Sequence, residues 1–497
     1  MGGYLEIVGP FFILIGGAFA VYLIGRVFGL SNRVEALLTV AILGVTLAVL
    51  ILQFLNFPEV IDQPEAFFGL DDPDGIIYRP SAVGVFILII GVLVGILITL
   101  YSAEYLSRDP RYLVYYPLIL LTLAGLLGMF TSQNLFNLFL LTELTTITAS
   151  ALVAFRFKEE VSIRAGFKYL IMSSLGTMTM MLGIYFVYRS TGDMQIIAPL
   201  EAVDNFTRIG AACFLVGFSL KAGVVPLHTW VPDVYGHAPS AVSGFMAGVL
   251  SKSMLFIMPV VCLRLGITYR ELGAFLMVAA CFNMLVGSVR MLRQQLMRRF
   301  LSFSTIAQTG YLMFVLGMGF YYGLDSAYGA GLFMFFVIAV MKCLAFLAAG
   351  TYEYYTGTQD IERLRGAAAK IPQAALTFSI ALAGLAGIPL LAGFTGKWLI
   401  FSAALMTADV FAVVCLIIFM ISSVISLGGY LPMIVKQYQG APAAEILPEE
   451  PQGTLQVSPW MLVPAGTLSL LVIIVGVFPS PWINLVGQVM NWMMRSI

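Results

Sequence analysis

The chain has 497 residues, 60% of them hydrophobic and only 10% charged, with 26 basic and 26 acidic side chains and a formal net charge of zero. A soluble domain carries about 25% charged residues, so a string of soluble domains is excluded. The balanced charge gives no pull toward nucleic acid or toward an acidic partner.

Apolar runs of about 20 residues, parted by short polar breaks, mark helices that cross a bilayer. They predict an all-α polytopic membrane protein of about 14 transmembrane helices, at 5–25, 34–56, 81–103, 113–131, 134–155, 165–188, 206–225, 238–263, 272–291, 300–321, 328–350, 373–402, 409–434 and 459–478. No basic segment precedes the first run, so it reads as a retained span and not a cleaved signal. Residues 436–458 form an acidic, proline-bearing linker, and the closing "SPWINLVGQVMNWMMRSI" is expected at the membrane interface. The five cysteines sit in separate apolar runs, none in a CxxC pair, and read as packing residues.

Basic residues in the loops set orientation. Of the 26, sixteen fall in loops after odd-numbered spans and six on the other face, where the 57–80 loop is acidic. The richer face is expected to be cytoplasmic, with both termini outside. The remaining four are Lys221, Lys252, Lys342 and Lys397, each read as near the middle of a span, and Glu143 joins them as the one embedded acid. A charge at mid-membrane costs about 2.5–3.5 kcal/mol, so five cost on the order of 12–18 kcal/mol unless offset. Lysine, unlike arginine, gives up its proton when desolvated. A line of lysines with one nearby acid therefore suits reversible protonation, against the alternative of snorkelling or static pairing. Lys342, between Met341 and Cys343, also fits plain packing.

Two spans are interrupted. "AGVVPL" (222–227) holds Pro226 beside Lys221, and "AGIPLLAGF" (386–394) holds Pro389 near Lys397. Proline removes a helix hydrogen bond, and the freed carbonyls are tolerated only where protein or water covers them. Broken helices at matching places in two halves point to a transport site, although an ordinary proline kink is the simpler alternative. Both breaks fall in the fourth helix of a five-helix run, so discontinuous helices 7 and 12 are expected within two inverted five-helix repeats. The division is 1–112 (helices 1–3), 113–264 (helices 4–8), 265–435 (helices 9–13) and 436–497 (linker, helix 14 and interfacial segment). His228 lies just past the first break and is a candidate proton relay or entry group. His237 is a weaker candidate, and Asp233 is expected to cap the chain's return into span eight.

The segments "LYSAEYLSRD", "QNLFNLFLLTEL", "AGFKYLIMSSLGT", "KAGVVPLHTWVPDVYGHAPSAVS" and "LAGIPLLAGFTGKW" resemble the antiporter-like subunits shared by respiratory complex I, multisubunit Mrp cation/proton antiporters and membrane-bound hydrogenases. The likeness covers roughly 75–435. It implies proton translocation through a Glu143/Lys221 pair, a bridging Lys252, Lys342 and a terminal Lys397. Ile338 stands where the family's span-eleven histidine is expected, which shifts that step onto Lys342 or water. No long lateral helix follows span fourteen, and the chain is more similar to the D-type Mrp subunit and its hydrogenase relatives. The resemblance implies a prokaryotic inner membrane, other antiporter-like or small membrane subunits as partners, surrounding lipid, and protons or sodium as cargo.

No cysteine cluster, dinucleotide fingerprint or phosphate loop is present, so no metal or cofactor is expected in this chain. Iron–sulfur clusters or a nickel–iron centre are expected only in a peripheral redox arm. Two readings stay open: a subunit of a redox-driven translocase, or a D-type subunit of a sodium/proton secondary antiporter.

Overall fold

The computed structural model describes residues 2–57, 65–67, 76–107, 109, 111–156, 160–196, 199–200, 203–440 and 455–496. Most of the 57–80 loop and the 436–458 linker, with Arg108 and Lys158, lie outside them. The helices run α1 (Gly2–Phe28), α2 (Asn32–Leu55), α3 (Ala82–Tyr105), α4 (Tyr112–Thr131), α5 (Leu135–Val153), α6 (Glu160–Thr191), α7 (Asn205–Ala222), α8 (Val231–His237) and α9 (Ser240–Arg264). They continue as α10 (Tyr269–Met291), α11 (Met297–Tyr322), α12 (Asp325–Thr356), α13 (Pro372–Ala386), α14 (Ala392–Leu405), α15 (Val410–Tyr438), α16 (Pro459–Val477) and α17 (Ser480–Ser496). Twelve of these are long and apolar enough to cross a membrane: α1 to α6, α9 to α12, α15 and α16. The other two expected spans are the interrupted ones, α7 and the α13/α14 pair.

One detail departs from an all-α chain. Strands β1 (Glu65–Phe67) and β2 (Ile76–Tyr78) form a short antiparallel ribbon. It lies between spans, where the backbone is not forced into a helix by the lipid. The chain around β2 also bonds across to the α4–α5 connection, with Gln133 N–H to Ile77 C=O at 2.9 Å and Arg79 N–H to Thr131 C=O at 2.7 Å.

Helix ends follow local chemistry. Asn134 accepts from the amides of Phe136 and Asn137 at the start of α5, and Thr268 with Glu271 forms a reciprocal capping box at the start of α10. The centre of the bundle is α12, whose most apolar stretch is wholly buried, whereas that of α1 is only 22% buried. A helix apolar on every side belongs inside. Helix α9 packs hard against it, because a side chain at Gly248 would lie 2.9 Å from the Ala339 carbonyl and one at Gly244 3.3 Å from Cys343 Cα. Small residues four apart let two helix backbones approach. Helices α6 and α7 meet in the same way at Gly176 and Gly217.

Charges close one end of the bundle. Glu353, in the last turn of α12, accepts from Arg156 at 3.2 Å, Arg298 at 3.0 Å and Gln359 at 3.0 Å. Arg298 is almost fully buried. The closing segment forms α17 and is pinned to the bundle by tryptophans, Trp492 against Phe54 and Phe57 and Trp482 stacked on Phe336.

Candidate functional site

All four embedded lysines are buried, and each is held by hydroxyl or carbonyl groups instead of a carboxylate. Helix α7 ends at Ala222, where Gly223 takes φ 73°, a left-handed conformation that glycine adopts without cost. Lys221 therefore sits in the last turn of α7 and not mid-helix. Its Nζ donates to Thr146 Oγ1 of α5 at 2.6 Å and to Ser173 Oγ of α6 at 3.1 Å. Glu143 is reached through the same face of α6: Thr177 Oγ1, one turn from Ser173, donates to its carboxylate. Glu143 is near enough to act on Lys221 electrostatically, without a direct bond between them.

The break beyond Lys221 is held open by Asn283 of α10, whose Oδ1 accepts from Val225 N–H at 2.8 Å. Trp230 Nε1 donates at 2.9 Å to the Leu220 carbonyl, which also accepts from Gly223 N–H at 3.2 Å. Pro226 lies in this turn. On the other side of Lys221 is a cavity of ≈ 10 Å³, lined by Thr145, Thr146, Tyr169, Tyr235 and Ser251 among others. That is about the room one water needs, and the walls are polar enough to keep it. Ser251 then accepts from Lys252 Nζ at 3.2 Å. Ser251 and Lys252 follow on a π-turn at Met246–Leu250 in α9, a local widening that recurs at functional sites.

Lys252 and Lys342 are close enough for their charges to interact. Lys342 Nζ donates to the Leu301 carbonyl at 3.3 Å and to Ser304 Oγ, which in turn bonds the Tyr430 hydroxyl. Ile338, one turn before Lys342, is fully buried. Further along α11, Gln308 is buried with its Oε1 unpartnered. Tyr311 follows, with Lys397 Nζ 5.6 Å from its ring centroid. Lys397, in α14, reaches back across the second break, which contains Pro389. It donates to the Ala386 carbonyl at the end of α13 and to Ser423 Oγ of α15, both at 2.8 Å. Gly387, at φ 86°, closes α13 as Gly223 closes α7.

The expected residues thus fall into a chain of contacts with uneven spacing. Glu143, Lys221 and Lys252 share a cluster. Lys342 adjoins it, and Lys397 stands apart, about 10 Å along α11 by the rise between Ser304 and Tyr311. His228 is half-buried at the edge of a second, open cavity of ≈ 640 Å³ lined also by Asp233, Arg290 and Arg299. His237 Nδ1 is 2.7 Å from the Asp233 carbonyl, and among the described residues neither histidine bonds a lysine. Asp233 does not cap α9; it pairs with Lys168 and Arg299, because both cations lie over it. Glu143 is half-buried, and a second helix acid is more deeply covered by protein. Glu35, in the first turn of α2, is fully buried with both carboxyl oxygens unpartnered, its position at the edge of an apolar run having made it look like a loop residue. Among the described residues, no group of three His, Cys, Asp or Glu side chains is placed to hold a metal.

Thr146, Ser173, Ser251, Ser304, Gln308 and Tyr430 are the contacts that sequence reasoning missed. For α11 the signal was present: Ser304, Gln308 and Tyr311 recur at helical spacing on one face of the helix.

The family described as NADH:quinone oxidoreductase/Mrp antiporter, TM, matches residues 132–426, which include every one of these lysines and Glu143. The chain belongs to this family. It is thus an antiporter-like, multi-pass membrane subunit of the kind found in complex I- and Mrp-type multisubunit complexes. A relative from Chloroherpeton thalassium, NADH-quinone oxidoreductase subunit N 2, is 30% identical over 86% of this chain and 84% of its own length. Subunit N of Moorella thermoacetica is 29% identical over 84% of this chain and 87% of its own. Among solved structures, a chain of the Mrp complex from a Dietzia species superposes with a TM-score of 0.86 at 21% identity, covering 98% of each chain. A chain of the membrane-bound sulfane sulfur reductase, an archaeal respiratory membrane complex, gives 0.82 at 23%, covering 99% of this chain and 97% of that one. A chain of respiratory complex I from Thermus thermophilus gives 0.74 at 24%, covering 96% and 98%. At these identities the likeness is one of fold.

Proposed function

We propose that this antiporter-like subunit moves protons along an axis of half-buried Glu143 and buried Lys221, Lys252, Lys342 and Lys397, within a redox-driven complex whose electron carriers lie in other subunits. The observation that carries this reading is the cluster around Lys221. A buried amine is held only by hydroxyls, lies in electrostatic reach of one carboxylate, and shares a water-sized polar cavity with the partner of the next lysine. Hydroxyls both accept and donate, so they pass a proton without holding a charge. Moving Glu143 relative to Lys221 changes how tightly the amine holds its proton. His228, at the mouth of the larger cavity, is the proton entry group, and Lys397 is the exit. His237 holds the short α8 helix in place.

The test uses the intact complex in sealed vesicles. Lys221→Ala is expected to abolish proton translocation while the complex assembles, and Lys221→Arg to fail as well, because arginine keeps its proton. Full pumping by either variant overturns the axis. The redox-driven assignment draws on the subunit N relatives. The fold likeness to an Mrp chain favours a second reading, a D-type subunit of a sodium/proton secondary antiporter. Proton movement that requires an electron donor supports the first; movement driven by a sodium gradient alone supports the second. We further place both termini outside the cytoplasm and divide the chain at 112, 264 and 435, with 113–264 and 265–435 as inverted repeats. The matching glycine-closed breaks at Gly223 and Gly387 support that division.

A further inference from the structure

The ≈ 640 Å³ cavity between α8, α10 and α11 has features that proton entry does not require. Arg290 and Arg299 line it with a single acid, Asp233, which pairs with Arg299 and with Lys168 beside the cavity. The Arg299 link to Asp233 is long, 3.5 Å, and its Nε is buried without a partner. The Arg290 guanidinium has no hydrogen bond or ion pair among the described residues. His228 Nδ1 is likewise buried and unpartnered. Arg299 Nε is a buried donor without an acceptor and carries a desolvation cost that an anion in the cavity removes, while Arg290, exposed, holds its charge free at the rim.

The cavity wall is not polar all round. Val289 and Phe303 line it, and α10 leads away from it with Val278, Phe282, Leu285 and Val289 exposed. Their spacing of four, three and four residues puts them on one helix face. From Val278 to Arg290 the helix rises about 18 Å, close to one leaflet of a hydrocarbon core about 30 Å thick. An anion that matches both halves of this site carries a phosphate at one end and an acyl chain at the other.

We propose that the cavity holds the phosphate headgroup of an anionic phospholipid, bonded by Arg290 and Arg299, with an acyl chain laid along the exposed face of α10. The lipid lies over His228, at the edge of the cavity. The proposal concerns binding alone and stands whether or not protons enter here.

The test titrates the purified full chain in detergent with phosphatidylglycerol, phosphatidylcholine or inorganic phosphate, and counts bound copies by native mass spectrometry. One saturable copy of phosphatidylglycerol is expected, preferred over phosphatidylcholine by about tenfold, because both carry the phosphate but the choline cation of the second is repelled by Arg290, Arg299 and Lys168. Arg290→Gln removes most of that preference. Asp233→Asn, which releases Lys168 and Arg299 from their acid, strengthens it, and this gain is not an outcome of misfolding. Equal binding of the two lipids, an unchanged preference in Arg290→Gln, or weaker binding in Asp233→Asn overturns the proposal. Displacement of phosphatidylglycerol by inorganic phosphate at equal concentration also overturns it, by showing a site for a free anion that ignores the acyl chain.

Discussion

Lys252 shows what a buried amine needs from its neighbours. Among the described residues its ammonium has one hydrogen bond, to Ser251, and Ser251 also faces the small cavity beside Lys221. Ser251 is thus the hydroxyl that ties Lys252 to the cavity beside Lys221. Ser251→Ala is expected to slow translocation on the order of tenfold or more, while Lys221→Ala abolishes it, since a lost relay hydroxyl leaves both amines in place. Vesicle pumping rates of the two variants, compared at equal complex content, check the ranking; full activity of Ser251→Ala removes this link from the pathway. The lysines themselves were legible in the sequence, because a charge in an apolar run stands out. The hydroxyls around them were not. Serine and threonine are common in membrane helices, and which of them meets a lysine depends on how helices rotate against each other.

At the scale of one element, the interrupted α7 is the part the sequence described best. Proline and glycine punctuate it, and the structure ends the helix at that glycine. What keeps the break open comes from elsewhere in the chain. Asn283 lies about 60 positions away, on α10, and accepts from Val225 N–H while donating to the Gly223 carbonyl at 3.4 Å. Asn283→Leu leaves that amide buried without an acceptor, a loss of about 1–3 kcal/mol. A lower thermal midpoint in detergent, with α7 otherwise helical, is the expected result; an unchanged midpoint shows that the break is held by its own backbone. A single asparagine in an apolar run carries no sign of the amide it serves, so this contact was not legible before the fold was known.

Across the whole molecule, Glu353 joins parts that are far apart in the chain. Arg156 follows α5, Arg298 opens α11, and both converge on one carboxylate at the end of α12. Arg298 is 2% exposed, so removing its partner strands a charge. Glu353→Ala is expected to cost about 3–5 kcal/mol, read as poor assembly or a sharply lower thermal midpoint, whereas Glu353→Gln keeps the acceptor geometry and loses less. Equal behaviour of the two variants rules out the charge as the cause. The sequence placed these arginines in loops on one face, which fits their position at helix ends, but their convergence depends on how the five-helix runs pack. The two broken helices carry a final consequence. Each directs its carbonyl end, a partial negative charge, toward a lysine: α7 toward Lys221 in its own last turn, and α13 toward Lys397 arriving from the next segment. A peptide dipole has no proton to lose, so neither counter-charge can be discharged by acid or alkali. Only distance adjusts it, and a sideways swing of a half-helix by an ångström would loosen or tighten an amine's grip on its hydrogen while every carboxylate stayed as it was.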